Sequence, residues 1–190
     1  MSCDRVSDSA AVPDPAAVPG EAEARALVIE RQSRLSSSSG RLVAWLMGRG
    51  MSEEAARDCV AGLERDGYVD DYAYAASVAR ARQGRRSESR QALRQRLERL
   101  AVKPEAIAAC LSACPGDLSR AADWLRSNHR PTLLALRDAT PDRDEEDESW
   151  RRDRATLIGI LRQAEGRGFM SSDILAILRR WQIEPERWLG

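Results

Sequence analysis

One pattern recurs along this chain at a fixed displacement, and it limits the fold more than any other feature. Leu42 and Leu46 return as Leu93 and Leu97, fifty-one residues further on; Ser52 returns as Lys103 beside Pro104, and Val60 as Leu111. Self-similarity over such a period marks an array of supersecondary units, none of which can bury its apolar face alone.

The spacing inside each copy is helical. Leu42, Val43, Leu46 and Met47 recur at intervals of one, three and four, and Gly50 supplies the residue that closes a helix in the left-handed conformation. Ser52 then reads as an N-cap, with Glu53 and Glu54 in the first turn and Ala55, Ala56, Cys59, Val60 and Leu63 as the apolar stripe. That helix stops at Gly67, and Asp70 and Asp71 read as caps of a third carrying Tyr72, Ala75, Ala76, Val78 and Ala79. In the second copy Pro104 sits where a first-turn proline is tolerated; Pro115 and Gly116 break the helix, and Asp117 caps the next, with Ala121, Ala122, Trp124 and Leu125 on its face. A third, truncated copy carries Leu157, Ile158 and Leu161, stops at Gly168, and resumes after a cap at Ser171 or Ser172 with Ile174, Leu175, Ile177, Leu178 and Trp181. Trp188 and Leu189 close its end.

Composition agrees with helices. Charged residues make up 32% of the chain and aromatic residues 5%, which suits short amphipathic helices better than a sandwich or barrel. The expected fold is all-α, three tandem three-helix repeats in an elongated, curved array behind a disordered N-terminal tail. Its expected boundaries are a tail over 1–34 with a short helix at its end, a first repeat over 35–86, a second over 87–140, an acidic linker over 141–150 and a third repeat over 151–190. The tail expectation rests on the Ser, Asp, Ala and Pro of residues 1–21, which recover too little buried area to offset ordering. The linker expectation rests on six carboxylates and one arginine between Asp142 and Glu148.

Thirty cationic side chains cancel thirty anionic ones, so any polyanion binding must come from local charge. From Arg80 to Lys103 the bases Arg80, Arg82, Arg85, Arg86, Arg90, Arg94, Arg96, Arg99 and Lys103 face only Glu88 and Glu98. Arg86, Arg90 and Arg94 recur every four residues, a spacing that places guanidinium forks along one helix edge for a phosphate backbone or an acidic protein rim. The competing account is a solvated helix face. Arg80, Arg82, Arg85, Arg86, Arg90 and Arg94 are therefore the candidate partner or DNA contacts.

Covalent chemistry finds no purchase. Asp70 and Asp71 read as caps rather than an acid–base pair, and His129, beside Arg130 and Pro131, reads as a dipole partner at a helix end. Cys3, Cys59, Cys110 and Cys114 form neither a CxxC pair nor a disulfide framework, and they read as reduced, buried thiols without a metal. Trp45 and Trp124 fall on apolar stripes and are expected in the core. No glycine-rich phosphate loop follows a strand pattern, so no cofactor is expected. No signal-like or eighteen-residue apolar run occurs, and a cytoplasmic protein without membrane contact is expected.

The run from Leu63 to Ala75, with Gly67, Tyr68, Val69, Asp70, Asp71 and Tyr72 at its centre, resembles the signature of the RecX family, as does Gly168-Phe169-Met170-Ser171-Ser172-Asp173-Ile174 late in the chain. The likeness spans about Arg41 to Trp181. Two departures stand out: Leu100-Ala101-Val102 replaces a glycine-bearing helix stop, and Tyr74 replaces a commoner phenylalanine. The resemblance implies a regulator that lodges in the RecA filament on single-stranded DNA and restrains its ATP hydrolysis, strand exchange and co-protease activity, and through them the SOS response; a monomer is the default expectation. Gly67, Tyr68, Asp70, Asp71 and Tyr72 would then be structural. Two other classes fit the same residues: a helical module that binds DNA without RecA, and a helical scaffold for protein interaction.

Overall fold

The computed structural model describes residues 18–139 and 148–189. The expectations for the tail before Val18 and for most of the acidic linker lie outside the described residues, as does Cys3. The described chain is all-helical: α1 (Glu21–Arg34), α2 (Ser39–Met47), α3 (Glu53–Arg65), α4 (Asp71–Ala81), a 3-10 turn at Gly84–Arg86, α5 (Arg90–Arg99), α6 (Pro104–Ala113), α7 (Asp117–Asp138), α8 (Glu148–Glu165), α9 (Ser171–Arg180) and α10 (Glu186–Leu189).

Starts and stops follow local chemistry. Ser38, Ser52, Asp70 and Ser89 accept hydrogen bonds from backbone N–H groups at the starts of α2, α3, α4 and α5, each satisfying a donor that the helix itself cannot. At α9 the cap is Met170, without a side-chain bond, while Ser171 is already helical; neither serine expected there serves. Five helices close alike. The sixth N–H of the closing motif bonds back to a carbonyl at Met51 to Leu46, Tyr68 to Leu63, Val102 to Leu97, Phe169 to Ala164 and Ile183 to Leu178. The residue before each donor has positive φ: Gly50, Gly67, Ala101, Gly168 and Gln182. The second copy therefore keeps the same stop although it lacks the glycine.

The chain divides into two compact units, Met1–Val69 and Asp70–Gly190. In the first, Ala24 and Val28 of α1 join Leu42 and Leu46 of α2 and Ala56, Val60 and Leu63 of α3 in one core. Gln32 clasps Ser37 from both sides, donating to its carbonyl at 3.1 Å and accepting from its N–H at 2.8 Å, which sets the turn from α1 into α2. In the second unit, one cluster joins Ala75 and Ala79 of α4 to Leu93 and Leu97 of α5 and Ala106, Ile107 and Leu111 of α6. Another joins Trp124, Leu125, Leu133 and Leu136 of α7 to Leu157, Ile160, Ile174, Leu178 and Trp188.

The helices thus share cores as α1–α3, α4–α6 and α7–α10, one helix earlier than the frame 35–86, 87–140 and 151–190. A sequence period measures displacement and not phase; burial sets the phase. α7 also runs straight through Pro131 to Asp138, where the sequence suggests a helix end. Leu133 and Leu136, both buried, hold the added turns in place against a helix-interior proline cost of about 3 kcal/mol.

Candidate functional site

The basic segment begins at the last turn of α4, runs along α5 and ends at Lys103, the N-cap of α6. Arg80 is exposed on α4, Arg82 caps that helix and is half-buried, Arg85 and Arg86 project from the 3-10 turn, and Arg90 and Arg94 lie one helical turn apart on α5. The expected single helix edge through Arg86 is not formed, because α5 starts at Arg90. Gly84 allows the turn with φ +54°.

Beneath that turn lies a buried polar plug, Ser87-Glu88-Ser89. Glu88 accepts two bonds of 2.8 Å from Arg96. Its burial works against the charge, but the Arg96 bonds and the charges of Arg96, Arg82 and Arg120 outweigh that and hold its carboxyl below the ordinary value. Arg120, almost wholly buried, donates to the backbone carbonyls of Glu88 at 2.7 Å and Arg82 at 3.0 Å. Asn128 donates to the carbonyl of Arg85. On the far side Ser89 N–H bonds to the carbonyl of Arg167 at 3.0 Å, and the Arg167 guanidinium donates to the carbonyl of Ser87. The backbone carrying the arginines is therefore held from α5, α7 and the α8–α9 turn at once.

This network divides the candidate residues. Arg90 is committed to the fold: its N–H meets Asp117 at 2.7 Å and its guanidinium donates to the carbonyl of Leu111 at 2.7 Å. Arg96 is neutralised by Glu88. Arg80, Arg85, Arg86 and Arg94 are exposed and enter no ion pair among the described residues, which leaves their forks open to phosphate or carboxylate. Sequence reasoning passed over Glu88 and Arg120 as organisers. The signal for Arg120 was its place one turn before Trp124, on the apolar stripe, where an arginine must find partners.

The motif around Gly67 is architectural. Gly67 has φ +78°, Asp70 caps α4 through Ala73 N–H at 2.9 Å, and Asp71 reaches instead to the N–H of Lys103 at 2.8 Å, so that it ties α4 to the start of α6. Tyr68 and Tyr72 are both more than half exposed. His129 is not at a helix end but within α7, edge-on to Trp124 with centroids 4.8 Å apart. Trp124 is core, whereas Trp45 is half-buried with the guanidiniums of Arg31 and Arg49 over its ring. Cys59 is buried; Cys110 and Cys114 are half-buried, and burial followed by the neighbouring Cys114 pushes the Cys110 thiol up to about 11. No cluster of three metal-ligating side chains occurs among the described residues, and no described helix is long and apolar enough to cross a membrane.

No family model matches the chain, and no curated relative does. Among solved structures, the crystal structure of a regulatory protein RecX superposes with a TM-score of 0.56 at 20% identity, covering 84% of this chain and 73% of that one. The fold of this protein is RecX-like.

Proposed function

We propose that this protein is a RecX-like regulator that binds the RecA filament on single-stranded DNA and inhibits its ATPase, strand-exchange and co-protease activities. The observation that carries the reading is the likeness of fold to regulatory protein RecX over most of the chain. It is supported by the Gly67–Tyr72 motif and by the open arginines of the turn at Gly84–Arg86, which suit a nucleoprotein surface bearing phosphates and carboxylates. The protein acts by binding and contributes no catalytic group of its own. The test is RecA-dependent ATP hydrolysis on single-stranded DNA with rising amounts of this chain. Inhibition at amounts well below RecA is expected, and hydrolysis unaltered at every ratio overturns the reading.

A further inference from the structure

A second surface lies between α7 and α9, and none of the residues of the turn at Gly84–Arg86 lines it. Two adjoining hollows of about 580 and 270 Å³ share Arg126 and Trp181 and together form one groove along α7. Its α7 wall carries Leu118, Ala122, Arg126, Arg130 and Leu134 at intervals of four, with Ser119, Leu133 and Arg137 beside them; at 1.5 Å per residue, Leu118 to Leu134 runs for about 24 Å. Ile177, Arg180 and Trp181 form the opposite wall. Leu118 and Leu134, 54% and 40% exposed, leave apolar side chains in water at the two ends.

The charge along this groove has one sign. Arg126, Arg130, Arg137 and Arg180 line it, and no acidic residue does. Arg126 and Arg137 each have one neighbouring carboxylate, Asp123 and Asp138, whereas Arg130 and Arg180 enter no ion pair among the described residues. A nucleic-acid backbone would satisfy the arginines yet leave an aliphatic floor uncovered. A peptide helix of about four turns, apolar on one face and acidic on its flanks, matches length, floor and rim together.

The geometry points to a docking groove between α7 and α9 for an acidic, amphipathic helical segment of a partner protein. This stands on the groove alone and does not depend on the filament reading. The test uses the full chain and a fluorescein-labelled synthetic peptide of sixteen residues, with Leu or Phe at every third or fourth position and Glu elsewhere. Two control peptides replace every Glu by Gln or every apolar residue by Ser. Binding with Kd on the order of 10 μM is expected. Arg130→Glu with Arg180→Glu, and separately Leu118→Ser with Leu134→Ser, each weaken it about tenfold or more, a loss of about 1.4 kcal/mol. Arg85→Glu with Arg86→Glu leaves it unchanged.

Four results overturn the inference. They are no binding of the acidic peptide; equal binding of either control peptide; a concentration-dependent dimer that the groove variants dissolve; and peptide binding seen only after the carboxylates between Asp142 and Glu148 are neutralised, which would make the chain its own occupant. Circular dichroism of the exposed-site variants separates lost docking from lost folding.

Discussion

Ala101 holds the left-handed backbone of Gly50 fifty-one positions later, with φ +52° against +92°. Both close their helices with the same pair of bonds, Gly50 N–H to Met47 and Met51 N–H to Leu46 in one, Ala101 N–H to Glu98 and Val102 N–H to Leu97 in the other. A left-handed alanine costs roughly 1–2 kcal/mol, part of which a glycine returns through its freer unfolded chain. Ala101→Gly is expected to stabilise the second unit by about 0.5–1 kcal/mol, read as a higher urea midpoint at constant slope. A lower midpoint would mean that the alanine methyl contributes packing worth more than the backbone strain.

Gly67 and Gly168 share a backbone conformation but not surroundings. A Cβ at Gly67 would meet nothing within 4 Å, whereas at Gly168 it would come 2.5 Å from Ser89 Oγ and 3.3 Å from Ala92 Cβ. Gly67→Ala is expected to cost about 1 kcal/mol, the left-handed penalty alone. Gly168→Ala should cost about 2–3 kcal/mol, because Ser89 is fixed as the α5 cap and cannot retreat freely. Equal losses in chemical denaturation would contradict the close approach.

His129 gives stability a pH dependence. Burial first, and then the charge of Arg167, lowers its pKa from 6.5, and Nε2 is buried without a hydrogen-bond partner. Since the folded pKa is lower, the unfolded chain binds more protons between the two values, and stability falls as the pH drops through 6.5. The loss levels off below the folded value. His129→Phe keeps a ring against Trp124 and should flatten the melting temperature between pH 7 and 5. The lowered carboxyl of Glu88 acts in a separate window, with stability present above 4.5 and lost as the pH falls beneath it.

The plug and the turn above it separate by mutation. Glu88→Gln removes the carboxylate that accepts both Arg96 bonds and that the charge of the buried Arg120 favours, and should cost roughly 2 kcal/mol. Arg85→Ala with Arg86→Ala, both exposed, should change stability by less than about 0.5 kcal/mol. If these two forks meet phosphates, the double variant lowers the log–log salt slope of binding to single-stranded DNA, alone or coated by RecA, by about 1.4. An unaltered slope would remove them from the contact.

Much of the fold was legible because its signals are local. Ser52 and Asp70 cap, Gly50, Gly67 and Gly168 close, and the leucine spacing marks each apolar face within a few residues of chain. The site was legible only as a density of arginine. Arg90 and Arg96 look equivalent to Arg94 in the sequence, yet Leu111, Asp117 and Glu88 claim the first two and leave the third open. Those partners lie eight to twenty-seven residues away, beyond any pattern read along one helix.

The residue order alone determined helix type, the helix ends set by Ser52, Asp70, Gly50, Gly67 and Gly168, and the fifty-one-residue period, since each follows from neighbours within about two turns. Tertiary structure decided the phase of the repeat, the passage of α7 through Pro131, and which guanidiniums remain open to a partner. Those outcomes depend on burial between distant segments: Ala24 and Val28 draw α1 into the first core, Leu133 and Leu136 hold the helix beyond its proline, and Arg120 finds its carbonyls on another element. No short-range preference encodes them.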